Sequence, residues 1–215
     1  EAITQSMNIV AAKTISDVTP KTSFDYLTKL GFSTLVSNEF TSNGNVYTDI
    51  TQSLALGGLT YGVTNMELTA AYASIANGGM YNKPVLYTKV VDQNGNVLLS
   101  NKPTKKRIMK SSTAFLLTDA MKDVIAKGTG KDAKLSSPMA VAGKTGTTSN
   151  NYDYWFSGYT PYHTASIWMG YDNNTNFNSE NTHKKLWAKI MNQIIQTKSR
   201  SEERRVGKEC RSRWS

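Results

Sequence analysis

The chain has 215 residues, of which 39% are hydrophobic and 19% are charged, and its formal net charge at pH 7 is +9. This length suits one domain with a core of its own, and the composition excludes a disordered chain or a coiled coil. No apolar run approaches the roughly 20 residues of a membrane-spanning helix, and no signal peptide opens the chain.

Two helices are predicted in the first part of the chain. The first runs from about Pro20 to Leu30, because Thr19 is a good N-cap and proline suits the first helical position. The second follows Thr64, which has the spacing of a capping box with Glu67, and it ends at Gly78-Gly79.

A hairpin and a third helix follow. Strands from Tyr87 to Val91 and from Val97 to Leu99 flank Asn94-Gly95, a pair that readily adopts the positive φ of a hairpin turn. A helix with one apolar face then begins near Ser112 and stops at Gly128.

Three strands and a last helix are predicted near the end. Ala140 to Thr147, Tyr154 to Tyr159 and Ala165 to Gly170 form an antiparallel meander, and Lys184 to Gln196 form an amphipathic helix that packs across it. We assign three aromatic residues of the strands to the core facing this helix rather than to substrate stacking: Trp155, Phe156 and Trp168. The predicted fold class is α+β, with an antiparallel sheet packed against helices.

The last 16 residues, RSEERRVGKECRSRWS, differ from the rest of the chain. They hold six of the 25 Lys and Arg residues and the only cysteine, Cys210. Their lack of apolar periodicity is typical of a disordered basic tail, but the string also resembles translated sequencing-adapter read-through, which we favour. We therefore assign residues 1–199 to a partial domain and 200–215 to a non-native or disordered tail. The basic charge is then no argument for nucleic acid, and the cysteine-free remainder suits an extracytoplasmic protein.

Several kinds of catalytic site find no support in the sequence. His163 and His183 have no carboxylate or cysteine at ligand spacing, so no metal site is expected. No Gly-x-Ser-x-Gly elbow occurs, and Gly128-Thr129-Gly130-Lys131 lacks the spacing of a phosphate-binding loop. No cofactor is implied.

Lys144-Thr145-Gly146-Thr147 is the strongest functional pattern. An ammonium and two hydroxyls on an exposed strand edge can bind an anionic peptide end, and the missing side chain of Gly146 lets a ligand backbone approach. A solvated edge strand that carries lysine as protection against aggregation would have the same residues. The four residues alone leave both interpretations open.

The wider sequence resembles class A penicillin-binding proteins. Lys-Thr-Gly pairs in that family with a Ser-x-Asn triplet, which Ser6-Met7-Asn8 matches, although a helix cap would also explain this serine. Further stretches resemble the family in the same order: Leu54 to Gly58, Tyr61 to Thr64, Asn77 to Gly79, Ala142 to Thr148 and Trp155 to Pro161. The resemblance covers nearly everything from Glu1 to about Thr197, and it implies a β-lactamase/transpeptidase-like fold truncated at its N-terminus.

The nucleophile motif of the family is absent. No serine among the 215 residues has a lysine three positions later, so the Ser-x-x-Lys is expected upstream of Glu1. The resemblance implies a parent protein with a membrane anchor and a glycosyltransferase domain, acting at the extracytoplasmic face of the bacterial membrane. The chain as it stands is expected to be inactive.

The resemblance also implies a role for each matched residue in cross-linking peptidoglycan stem peptides, the reaction that β-lactams block. Ser6 would relay a proton to the leaving group, and Lys144 would keep the local field positive. Asn8 would bond the substrate amide, Thr145 and Thr147 would hold its carboxylate beside Gly146, and the Thr147 backbone N–H would form half of the oxyanion hole. Two alternatives stay open, a serine β-lactamase and a noncatalytic β-lactam or peptidoglycan sensor.

Overall fold

The computed structural model describes residues 1–40 and 44–196. Within them the helices are α1 (Ala2–Gln5), α2 (Asn8–Val18), α3 (Pro20–Lys29), α4 (Asn65–Ala76), α5 (Ser111–Ala126) and α6 (Thr182–Gln196). The strands are β1 (Glu39–Phe40), β2 (Val46–Tyr47), β3 (Met80–Asn82), β4 (Lys89–Val91), β5 (Val97–Ser100), β6 (Lys105–Arg107), β7 (Ala142–Thr147), β8 (Asp153–Tyr159) and β9 (Thr164–Gly170). The tail assigned to 200–215 lies outside the described residues.

The predicted helices and the first hairpin are confirmed, with small shifts at their ends. Thr19 and Thr64 cap α3 and α4 as expected, since each side chain accepts a hydrogen bond from a backbone N–H three residues later. The β4–β5 hairpin is antiparallel and turns around Gly95, whose φ is +85°. Local cap and turn signals therefore suffice to locate these elements.

The predicted meander forms a three-stranded antiparallel sheet in the order β7-β8-β9. Its register pairs Lys144 with Ser157 and Trp155 with Trp168. Between β8 and β9 the Thr160 hydroxyl accepts from the backbone N–H groups of Tyr162 and His163, which closes the turn. In this sheet β7 lies at an edge, so its outer backbone groups have no strand partner within the sheet.

Helix α6 covers one face of the sheet. Phe156, Trp187 and Met191 are fully buried there, and the Phe156 and Trp187 rings meet edge to face with centroids 5.0 Å apart. Trp187 Nε1 also donates to the Ala165 carbonyl at 2.9 Å, which satisfies the polar end of a buried ring. This packing fixes where α6 begins relative to β7.

The core assignment of the three strand aromatics is correct only for Phe156. Trp155 and Trp168 pair with each other on the opposite face of the sheet, because successive side chains of a strand alternate between faces. Trp168 is 37% exposed, and its ring N–H donates to Asp153 Oδ1 at 2.8 Å. Neither tryptophan therefore faces α6.

Helices α4 and α5 lie against the other side of the sheet. Met121, Ala142 and Tyr159 form a buried cluster there, and the Tyr159 hydroxyl is 2.8 Å from Thr118 Oγ1. Burial raises the pKa of Tyr159, and it raises that of the neighbouring Tyr72 to about 12. The sheet is thus the middle layer of a helix–sheet–helix arrangement, with β7 as one of its edge strands.

Candidate active site

Ser6 ends α1 in the left-handed conformation, with φ 55° and ψ 49°. Its backbone N–H donates to the Ile3 carbonyl at 3.3 Å, and α2 starts two residues later at Asn8. A left-handed serine is sterically unfavourable, and such outliers persist only where surrounding contacts hold them. The joint between α1 and α2 therefore presents the Ser6 hydroxyl at a sharp corner of the chain.

Lys144 lies on β7 and reaches that corner. Its Nζ donates to Ser6 Oγ at 2.7 Å and to the Thr145 carbonyl at 3.0 Å. Both acceptors are neutral, and burial lowers the pKa of the ammonium from its ordinary value. The structure thus brings together the two sequence patterns that contain Ser6 and Lys144.

Thr145 and Thr147 project from the opposite face of β7, toward the start of α6. A cavity of about 290 Å³ opens there, and both threonines line it. Tyr154, which pairs with Thr147 across the sheet, and Ser6 also line it. With Thr129, which also lines it, the cavity contains hydroxyl groups from three separate parts of the chain.

Gly146 has a packing reason as well as the one expected for ligand approach. A Cβ added at this position would lie 3.3 Å from the Cβ of Trp155 on the neighbouring strand. A side chain at this position would require Trp155 or the strand to shift by a few tenths of an ångström. Glycine therefore keeps the flanking Lys144 and Thr145 at their observed places.

Asn8 is the first residue of α2, and its side chain is exposed. It lies one residue beyond the corner that presents Ser6, but it is not among the residues that line the cavity. The proposed bond from Asn8 to a substrate amide thus depends on a ligand that extends past the cavity.

Two further cavity residues come from the first turn of α6, and neither belongs to the sequence patterns that predicted the site. His183 and Lys184 are both buried and line the cavity. His183 Nδ1 is 3.0 Å from Ser179 Oγ, and burial together with the charge of Lys184 lowers the pKa of His183 to about 4. His183 is therefore neutral at pH 7, and the adjacent charge is that of Lys184.

Lys184 is held by two contacts. Its Nζ donates to the Thr129 carbonyl at 2.9 Å and lies 3.8 Å from Asp132 Oδ2. Burial lowers its pKa, and the Asp132 charge opposes that shift. A signal for Lys184 does exist in the sequence, since it lies three residues before Trp187 and seven before Met191 on the apolar face of α6. A lysine on the buried face of a helix is rarely without a partner.

Comparison with protein families gives one match that covers the described chain. The profile of the penicillin binding protein transpeptidase domain matches residues 1–196. Penicillin-binding protein 1A of Clostridium botulinum is 35% identical over 197 residues, which are 90% of this chain and 23% of that protein. Penicillin-binding protein 1F of Bacillus subtilis is 33% identical over 178 residues, 80% of this chain and 23% of the relative. The chain thus spans about a quarter of the length of these relatives.

Solved structures show the same fold. Penicillin-binding protein 1A of Haemophilus influenzae superimposes with a TM-score of 0.72 at 21% identity, over 92% of this chain and 34% of that one. The D,D-transpeptidase domain of a peptidoglycan glycosyltransferase from Eggerthella lenta gives 0.66 at 20% identity, over 91% and 52%. The predicted α+β fold of the β-lactamase/transpeptidase type is therefore confirmed, and the chain belongs to the penicillin-binding protein transpeptidase domain family.

Proposed function

We propose that this chain is part of a peptidoglycan D,D-transpeptidase that cross-links stem peptides through a serine acyl-enzyme and is acylated by β-lactams. The observation that carries the proposal is the 2.7 Å contact of Lys144 with Ser6 beside a cavity lined by threonine hydroxyls. The nucleophilic serine is supplied by a part of the longer protein outside these 215 residues. That longer protein is called the parent protein below.

The proposed reaction has two balanced steps. The serine hydroxyl loses its proton and its oxygen forms an ester with the carbonyl carbon of the penultimate D-Ala; the peptide C–N bond breaks, and the terminal D-Ala leaves after its nitrogen takes up a proton. An amine of a second stem peptide then attacks the ester and loses a proton as it forms the cross-linking amide, the ester C–O bond breaks, and the serine oxygen regains a proton. A β-lactam replaces the first substrate, and its ring C–N bond opens instead.

Ser6 and Lys144 provide the proton for the leaving nitrogen. Because Lys144 donates to Ser6 Oγ, the serine's own O–H is left to point toward the leaving group. The Lys144 ammonium makes it easier for Ser6 to lose its hydroxyl proton. Burial lowers the pKa of Lys144 and so brings it closer to neutral pH, which makes proton transfer from the ammonium easier. Ser6 passes its proton to the leaving nitrogen, and Lys144 then protonates Ser6 again.

The cavity receives the terminal carboxylate. Thr145 and Thr147 supply hydroxyl donors, and the buried charge of Lys184 makes the field at the start of α6 positive. About 290 Å³ is close to the lower limit of roughly 300 Å³ for small-molecule pockets, so it suits a terminal residue rather than a whole peptide. The remainder of the ligand lies along the free edge of β7, where the Thr147 N–H contributes to the oxyanion hole and Asn8 bonds an amide.

The parent protein is proposed to be anchored in the membrane and fused to a glycosyltransferase domain, with its activity at the extracytoplasmic face. Support comes from the relatives, which are penicillin-binding proteins about four times as long as the matched segment. Among residues 1–40 and 44–196 no helix has the length and apolar character to cross a bilayer.

Labelling with a fluorescent penicillin tests the proposal. The parent protein should give a covalent band that survives denaturing electrophoresis, the 215-residue chain should give none, and Lys144→Met in the parent protein should weaken the band strongly. Lys185→Met, a change at an exposed lysine next to the cavity, should leave it unchanged. An unlabelled parent protein would refute the proposed function, and rapid release of hydrolysed penicillin would make it a β-lactamase instead.

A further inference from the structure

The loop after α5 touches three elements that form the site. In this loop, residues 128–130, the Thr129 N–H donates to the Thr4 carbonyl of α1 at 3.3 Å. Its hydroxyl is 2.7 Å from Thr145 Oγ1 on β7, and its carbonyl accepts from Lys184 Nζ of α6 at 2.9 Å. One residue thus connects the helix that ends at Ser6, the strand that carries Lys144, and the helix that closes the cavity.

The two flanking glycines hold this loop in place. A Cβ on Gly128 would lie 2.3 Å from the Thr4 carbonyl oxygen, and one on Gly130 would lie 2.9 Å from Ile125 Cδ1. The Gly130 N–H also donates to the Val124 carbonyl at 2.9 Å. The Gly-Thr-Gly sequence, which has no phosphate-binding spacing, therefore has a packing explanation, namely close approach of the loop backbone to α1 and α5.

The contact between the two threonines can fix the direction of a proton. A hydroxyl has one hydrogen to donate and two lone pairs to accept with. A carboxylate takes the stronger, charge-assisted hydrogen bond, so the Thr145 hydrogen points to the ligand and the Thr145 oxygen accepts from Thr129. The chain from Thr129 to Thr145 to carboxylate polarises each bond in the same direction.

We propose that Thr129 is a positioning residue for the carboxylate site: its hydroxyl orients the Thr145 hydroxyl toward the ligand. Lys184 has a supporting part, because its bond to the Thr129 carbonyl keeps the loop against β7. This inference rests on the proposed function. It adds a residue that lines the cavity and that acts on the ligand carboxylate through Thr145.

The test is the second-order rate constant of acylation of the parent protein by benzylpenicillin, which carries a carboxylate. Thr129→Val keeps the shape and removes the hydroxyl, and it should lower the rate constant roughly tenfold, the value of about one well-placed hydrogen bond. Thr129→Ser should restore most of the rate. Thr113→Val, a change at an exposed threonine of α5, is the matched control and should leave the rate constant unchanged.

A double-mutant cycle separates positioning from a merely structural effect. If Thr129 acts through Thr145, then Thr129→Val should cause little further loss in a protein that already carries Thr145→Val. An equal tenfold loss on both backgrounds would overturn the proposal, as would a Thr129→Val protein that is acylated at the wild-type rate.

Failure of this inference is distinguishable from failure of the proposed function, because an unlabelled wild-type parent protein would refute that function before any variant is compared.

If Thr129→Val lacks a cooperative thermal melt, Thr129→Ala, which only deletes atoms, is used instead, with the same expected loss in rate constant and the same double-mutant cycle. A normal rate in the folded alanine variant would equally overturn the assignment.

Discussion

The ammonium of Lys144 lies 2.7 Å from the hydroxyl oxygen of Ser6, although 138 positions separate the two residues in the chain. The contact joins an edge strand to the corner between two helices. Among the described residues, Lys144 makes one other hydrogen bond, to the Thr145 carbonyl. Within this part of the chain its charge therefore has no direct acidic partner. That arrangement is costly for a merely structural lysine and useful for one that handles protons.

Replacing Lys144 by methionine in the parent protein should therefore have opposite effects on activity and stability. Acylation by penicillin should fall by a factor on the order of 10² or more, because the proposed proton relay through Ser6 would lose its source. The melting temperature should stay equal or rise, because burial lowers the pKa of the ammonium and methionine carries no charge to desolvate. Acylation assays and thermal melts of the same preparation check both halves. A large loss of stability would mean that Lys144 holds the fold together rather than serving the site.

His183 should make the transpeptidase domain less stable in mild acid. Burial lowers its folded-state pKa to about 4, whereas an unfolded histidine titrates near 6.5. Between these two pKa values the unfolded state binds more protons than the folded state, so stability falls as the pH drops from about 6.5 to about 4. Above pH 6.5 the folded domain keeps the full contribution of neutral His183 to its stability.

The check for His183 is the melting temperature at pH 7 and at pH 5, compared between wild type and His183→Gln. The wild-type domain should lose more stability over this interval than the variant does. Between about pH 7.5 and pH 8.5, well above both pKa values of His183, the two proteins should keep a nearly constant difference in melting temperature. Parallel loss in both proteins below pH 6.5 would mean that His183 does not cause the acid sensitivity.

Most elements were predictable because their signals are local. Thr19 and Thr64 cap their helices in the observed structure, and Gly95 turns the first hairpin. The corner at Ser6 was not predictable, because serine has no preference for the left-handed conformation that ends α1 there, and the contact with Lys144 joins residues far apart in the chain.

The cavity was predictable only in part. Its strand side was identified because Lys144 to Thr147 form a known pattern, but His183 and Lys184 were missed because their importance comes from packing between α6 and β7. The error at Trp155 and Trp168 has a different origin, since alternation along a strand already excludes that Trp155 and Phe156 face the same helix; only the choice of the face that α6 covers is decided by tertiary contacts.

Asp49 is expected to be a main stabilising residue of the segment before α4. It is 2% exposed, and its carboxylate accepts from the Val36 N–H, the Thr60 N–H and the Thr60 hydroxyl at 2.7 to 2.8 Å. Asp49→Ala leaves buried donors unpaired, so it should lower the free energy of unfolding by about 2–4 kcal/mol. Chemical denaturation of the parent protein's transpeptidase domain measures this loss.

The control is Asp25→Ala, which removes an exposed aspartate paired with Lys21 and should change the free energy of unfolding by less than about 1 kcal/mol. Equal effects of the two changes would contradict the assignment.

The isolated 215-residue chain is expected to aggregate. Helix α2 presents Ile9 with 72% of its surface exposed, and the neighbouring Met7 and Val10 are 46% and 38% exposed. Exposed apolar side chains close together in the chain favour association in water. Size-exclusion chromatography should give oligomers or material in the void volume, and Ile9→Lys should increase the monomer fraction. Lys13→Ala in the same helix is the control and should not. A monodisperse wild-type monomer with a sharp two-state melt would show instead that this apolar face is tolerated in water.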